Sequence, residues 1–78
     1  MFNKFPISFY FDGKQYDGQI QPLSIGVQNR IPTNFQVFLN HVYYGLVKRK
    51  GDDWETDSPK CAIMVKTIAN HIYDRYEY

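Results

Sequence analysis

The stretch Phe35-Gln36-Val37-Phe38-Leu39-Asn40-His41-Val42-Tyr43-Tyr44-Gly45-Leu46, continuing through Val47 to Lys48-Arg49-Lys50, decides the fold. Asn40-His41 reads as a two-residue turn, because Asn tolerates the positive φ that a type I′ turn demands. His at the second position is a poorer choice than Gly. That turn pairs Leu39 with Val42, Val37 with Tyr44 and Phe35 with Leu46, and places all of them on one apolar face. A slip of one residue would scatter the set, so the pattern specifies its own register. The opposite face then carries Phe38 across from Tyr43, Gln36 across from Gly45, and Asn34 near Val47.

A second hairpin precedes this one. Phe5, Ile7, Phe9 and Phe11 alternate with Pro6, Ser8, Tyr10 and Asp12, the period of a half-buried strand. Pro6 suits a strand start or an edge. Asp12-Gly13 is a strong hairpin signal. Loops of two or four residues both place Tyr16 and Ile20 on the Phe5/Ile7/Phe9/Phe11 face. Between the hairpins, Pro22, Gly26, Pro32 and Asn34 interrupt the chain. Leu23 to Gln28 reads as a short irregular strand, followed by a turn at Asn29-Arg30. After Lys50, Gly51-Asp52-Asp53 turns the chain into a last short strand, Trp54 to Thr56. A three-residue loop would put Trp54 on the apolar face, and a two-residue loop would put it beside Arg49 on the other.

Ser58 and Pro59 open a helix, as N-cap and first helical residue. Cys61, Ala62, Val65, Ile68, Ala69, Ile72 and Tyr76 fall on one stripe of it, with Lys66, Asn70, Asp74 and Glu77 towards solvent. Ile63 lies nearly opposite the stripe. The assembled fold class is α+β: a small antiparallel β-meander of four to five strands with one C-terminal α-helix packed on one face.

Composition bounds the function. Seventy-eight residues make a single domain, 1–78. A hydrophobic fraction of 44% excludes a disordered chain, and a net charge of +1 excludes the strong field of a general nucleic-acid binder. Aromatic residues reach 18%, enough for a short chain to build a core from few side chains. The one cysteine excludes an intramolecular disulfide framework. The start of the chain lacks the apolar region of a secretory signal, and no run is long enough to span a bilayer, so the expected location is cytoplasmic.

Little in the residues suggests chemistry. The metal-ligating types are His41, His71, Cys61 and the run Asp52, Asp53, Glu55 and Asp57. They lack the paired short spacing of zinc sites and the alternating oxygens of a calcium loop, so no metal and no cofactor is expected. Cys61 sits near a helix start, where a thiol pKa falls, but a nucleophile also needs His41 or His71 within reach. There is no phosphate loop or nucleophile elbow. The chain does not read as an enzyme.

Binding is the stronger reading. One helix covers one face of the sheet, leaving Tyr10, Phe38, Tyr43 and Val47 on the other, with Arg49 as a basic rim. Contiguous exposed apolar groups mark interaction sites, and Tyr and Arg are enriched in them. The expected partner is another protein or a second copy of this chain, as a homodimer. The alternative is weak binding of single-stranded nucleic acid, with Tyr43 stacking a base and Arg49 meeting phosphate. Against it, the acidic run directly after Lys50 cancels the local positive field.

Overall fold

Two pairs of residues with positive φ set the topology. Asp12 and Gly13 (φ 52° and 77°) and Asn40 and His41 (φ 51° and 65°) adopt the left-handed conformations of two-residue type I′ turns. In the computed structural model, which describes residues 2–76, they join β1 (Phe5–Phe11) to β2 (Lys14–Pro22) and β3 (Asn34–Leu39) to β4 (Val42–Lys50). With β5 (Asp53–Thr56) these strands form one antiparallel sheet in the order β1-β2-β3-β4-β5. The first hairpin closes on Phe11 opposite Lys14, which puts Phe9 opposite Tyr16 and Phe5 opposite Ile20. Tyr16 and Ile20 therefore lie on the face the alternation assigns them. The α+β meander is the observed architecture.

The β3–β4 register departs from simple alternation. Leu39 faces Val42 and Phe38 faces Tyr43, as the turn dictates, but the pairing then shifts between Val37 and Phe38. Beyond the shift Val37 faces Gly45, Gln36 faces Leu46 and Phe35 faces Val47. One extra residue, Tyr44, is accommodated in a β-bulge, and every later residue of β4 changes face. Val47 is thus buried in the core at 0% exposure and does not belong to the open face. Leu46 takes the face expected for Val47.

The physical reason lies further along the strand. Without the bulge, Leu46, Lys48 and Lys50 would share the core face, and two ammonium groups would have to be desolvated under the helices. With it, Val47, Arg49 and Trp54 turn inward and both lysines reach solvent. The β4–β5 loop has two residues, Gly51 and Asp52, and Trp54 pairs with Arg49. That pairing matches one of the two alternatives, but the bulge carries both residues to the helix side. Trp54 packs there against Phe35, with ring centroids 5.9 Å apart. Gly45 makes the bulge possible, since its φ is 142° and a Cβ there would lie 2.5 Å from Cβ of Ser58.

Residues 23–33 form a braced loop rather than the expected strand over Leu23 to Gln28. The Thr33 hydroxyl donates to the Gly26 carbonyl (2.6 Å), and the Asn34 amide donates to the Ile25 carbonyl (2.8 Å). These side-chain bonds compete with sheet pairing for the backbone and win. The Asn29-Arg30 turn is present, with φ of 53° and 67°, between the bridged residues Gln28 and Ile31.

The expected single helix is two: α1 (Pro59–Ala62) and α2 (Val65–Tyr73). Ser58 occupies the N-cap position with no side-chain cap bond. The break at Ile63-Met64 buries Met64 and leaves Ala62 exposed, reversing the stripe at that point. Exchanging a methyl group for a thioether chain buries more apolar surface. Ile68, Ala69 and Ile72 are buried as the stripe predicts, and Val65 is half-buried. They close over Phe5, Ile7, Ile20, Phe35, Val37 and Leu39. The expectation for Glu77 lies outside the described residues.

Candidate interaction surface

The uncovered face of the sheet is built by the even-numbered residues of β1 and β3, the odd-numbered residues of β2, and Tyr43, Leu46, Lys48 and Lys50 of β4. At its centre Phe38 and Tyr43 form a cross-strand pair, with ring centroids 5.2 Å apart and planes inclined at 50°. Phe38 is half-buried and Tyr43 is 50% exposed. Because both precede the bulge, they keep the face the turn assigns them. Beside the pair, Lys4, Gln19, Gln21, Gln36 and Phe38 line a shallow hollow of about 390 Å³. The glutamines come from neighbouring strands, Gln19 opposite Phe38 and Gln21 opposite Gln36. The result is an aromatic centre in a field of neutral amides.

Tyr10 shares this face and is 74% exposed, but it stands apart from the pair. A polar network separates them. Ser8 Oγ donates to Asp17 Oδ1 (2.6 Å), and Gln15 Nε2 donates both to Ser8 Oγ (2.7 Å) and to Asp17 Oδ1 (3.0 Å). The Ser8 bond, followed by that of Gln15, holds the Asp17 carboxyl below the usual carboxylate range. The Asp17 amide donates to Oδ1 of Asn40, which fastens the network to the β3–β4 turn. The face therefore carries two separate aromatic features.

Two residues expected on this face lie elsewhere. Val47 is in the core. Arg49 is on the helix side, where Nη1 donates to the Tyr73 hydroxyl (3.0 Å) and the guanidinium lies 5.6 Å from the Tyr73 ring centroid. Its Nη2 is 3.5 Å from Asp52 Oδ1. Trp54 Nε1 donates to the same Tyr73 hydroxyl (3.0 Å). The Trp54 bond, then the Arg49 bond, pull the Tyr73 phenol below its ordinary pKa. This cluster fastens the β4–β5 hairpin to α2. Sequence reasoning missed it because the bulge, which it did not see, brings Arg49 and Trp54 under the helix.

A second aromatic margin also went unread. Phe9 and Tyr16 stack on the helix side, with centroids 5.5 Å apart, and Tyr44 meets Tyr16 edge-on. Lys14 Nζ lies 5.3 Å from the Tyr16 ring, and Lys60 Nζ 5.4 Å from that of Tyr44. The alternation of β1 and β2 contained the first of these pairs.

Among the described residues no three His, Cys, Asp or Glu side chains gather as metal ligands would. Cys61 is buried, and burial pushes its thiol pKa up, against the lowering expected at a helix start. His71 packs on the Phe9 ring at 5.5 Å, and His41 sits in the β3–β4 turn. No described helix is long and apolar enough to cross a membrane. Comparison with models of known families, with curated proteins and with solved structures returned no match to this chain.

Proposed function

We propose that the chain is a small protein-binding module whose recognition surface is the uncovered sheet face centred on Phe38 and Tyr43. The observation that carries this reading is the half-exposed pair itself, 5.2 Å between centroids, with the glutamine amides of β2 and β3 beside Phe38. An aromatic anchor inside a hydrogen-bonding rim is the usual anatomy of a protein interface. The amides of Gln19 and Gln36 each offer a donor and an acceptor, which suits peptide groups and polar side chains of either kind, while Gln21, whose Nε2 donates to the Phe2 and Pro22 carbonyls, offers its oxygen. The nucleic-acid reading required Tyr43 and Arg49 on one surface; they lie on opposite sides of the sheet, so the protein-binding reading is carried forward alone.

A photo-crosslinking residue at Tyr43, in cells producing the chain, tests the proposal. A discrete adduct is expected from Tyr43, lost in a Phe38→Ser background and absent when the crosslinker replaces Lys66 on α2. The cross-strand pair supports the sheet by only about 0.2–1 kcal/mol, so Phe38→Ser should stay folded, with a thermal midpoint lowered by no more than about 8 °C. Equal adducts from positions 43 and 66, or an adduct at 43 indifferent to Phe38→Ser, would refute the reading.

A further inference from the structure

The two edges of the sheet are protected very differently. β5 is four residues long and carries the carboxylates of Asp53 and Glu55, devices that discourage a further strand. β1 is seven residues long, Phe-Pro-Ile-Ser-Phe-Tyr-Phe from Phe5 to Phe11, without a charged residue. Among the described residues no strand lies outside it.

Its hydrogen-bonding phase follows from the turn. A two-residue type I′ loop closes on a hydrogen-bonded pair, here Phe11 and Lys14. Bonding alternates along an antiparallel ladder, so Phe5, Ile7, Phe9 and Phe11 bond to β2, while the backbones of Pro6, Ser8 and Tyr10 point outward. Pro6, which has no N–H to give, sits in the outward phase, where it breaks no bond to β2.

We infer that the β1 edge pairs antiparallel with β1 of a second copy, about a two-fold axis at Ser8, to make one continuous sheet. Only a register centred on Ser8 pairs the whole strand. In that register Ser8 exchanges both its bonds with Ser8 of the second copy, and each Tyr10 N–H reaches the Pro6 carbonyl opposite. On the helix side Ile7 meets Phe9 and Phe5 meets Phe11. These contacts cover the half-buried Phe9 and Phe11 rings at the edge. On the open face the exposed Tyr10 ring lies over Pro6, giving a role to the aromatic that stands apart from Phe38 and Tyr43.

Charge supports this occupant and this direction. Lys4 and Asp12 flank β1, and the same register sets Lys4 of each copy beside Asp12 of the other. Within one chain they are eight positions apart along an extended strand, about 26 Å, too far to pair. The surface shares Lys4 with the hollow beside Phe38 but none of the Phe38–Tyr43 pair, so either proposal can fail without the other.

Sedimentation equilibrium of the full chain up to about 1 mM, high enough to reveal a millimolar self-association, should show a reversible dimer. Ser8→Pro removes an N–H that makes no bond to β2, and should weaken the dimer at least about tenfold while keeping the circular dichroism spectrum. Cysteine scanning reads the register and does not depend on that variant folding. Opposed Cα atoms of a hydrogen-bonded antiparallel pair lie about 5.5 Å apart, within disulfide reach. Ser8→Cys should therefore crosslink with itself on mild oxidation. Tyr10→Cys alone should not, but should crosslink when mixed with Pro6→Cys. The wild type, with Cys61 buried, should give none. A strictly monomeric wild type at that concentration, a Ser8→Cys chain that stays monomeric on oxidation, or a dimer of unchanged strength in folded Ser8→Pro would overturn the inference.

Discussion

Replacing Gly45 with alanine tests the bulge that sorts the two faces of the sheet. Gly45 has φ 142°, a conformation that residues with a side chain rarely adopt, and its missing Cβ would stand 2.5 Å from Cβ of Ser58 at the start of α1. Two costs should add. Holding an L residue in that backbone region takes about 1–3 kcal/mol. Forcing a methyl group into a filled contact takes about 1–3 kcal/mol more. Against a total stability of about 5–15 kcal/mol, the sum is a large fraction. Near the midpoint each kcal/mol moves a domain of this size by about 4–8 °C, so Gly45→Ala should melt at least about 8 °C below the wild type. Near-ultraviolet circular dichroism is a suitable probe, because so many aromatic rings pack around the sheet. Gly13→Ala is the control: φ is 77°, but nothing lies within 4 Å of the added carbon. It should lose only the backbone cost, about 1–2 kcal/mol. Ser58→Gly should partly rescue Gly45→Ala, since Ser58 makes no side-chain cap bond and its removal opens the contact. Coupling of about 0.5–3 kcal/mol is expected between contacting residues. A Gly45→Ala chain no less stable than Gly13→Ala, or one indifferent to Ser58→Gly, would refute the reasoning.

Two further outcomes follow from the core and from the Tyr73 cluster. Ile68→Ala removes a fully buried side chain beneath α2 and should cost about 2–5 kcal/mol, whereas Ile63→Ala, at a position 73% exposed, should stay within about 0.5 kcal/mol in the same chemical denaturation series. Tyr73 should ionise below the ordinary tyrosine pKa in a tyrosinate absorbance titration, because Trp54 and Arg49 both donate to its oxygen, and that early phase should vanish in Tyr73→Phe. The sign for stability follows: a depressed folded pKa favours the folded state above the ordinary tyrosine pKa, and the increment disappears as pH falls through the folded value. Tyr73→Phe should lack that alkaline increment, and an unchanged pH profile would count against the cluster.

What the sequence disclosed depended on how locally each feature is encoded. Asp12-Gly13 and Asn40-His41 announce their turns in two residues, and each turn then fixes the register beside it by geometry alone. The α2 stripe at Ile68, Ala69 and Ile72 is legible because a helix repeats its signal every turn. The bulge is not, because Val42, Tyr43, Tyr44, Leu46 and Val47 put apolar side chains in both phases of the strand, so alternation cannot count the extra residue. Its only marks are Gly45 and the unsuitability of Lys48 and Lys50 for a core face. Leu23, Ile25 and Val27 alternate like a strand, yet the loop is held by Thr33 and Asn34, whose bonds to Gly26 and Ile25 become visible only in three dimensions.

The candidate site divides along the same line. Tyr10, Phe38 and Tyr43 precede the bulge or lie on another strand, and they keep the open face; Val47 and Arg49 follow it and turn inward. The same change of face exchanges Arg49 for Lys48 and Lys50 on the open side, beyond Leu46 and towards β5. Arg49 is engaged with Tyr73 and Asp52, and Lys50 Nζ lies 3.9 Å from Glu55 Oε1. The hollow beside Phe38 retains a single lysine, Lys4, among glutamines. Recognition there should rest on aromatic burial and neutral hydrogen bonds, which salt screens little or strengthens. Pairing along β1 has an ionic element in Lys4 and Asp12, but its main-chain bonds dominate, so salt should weaken it only modestly. Arg49→Ala should then act on stability through the Tyr73 cluster rather than on either association, separating the fold's own use of the basic run from the binding role its composition suggests.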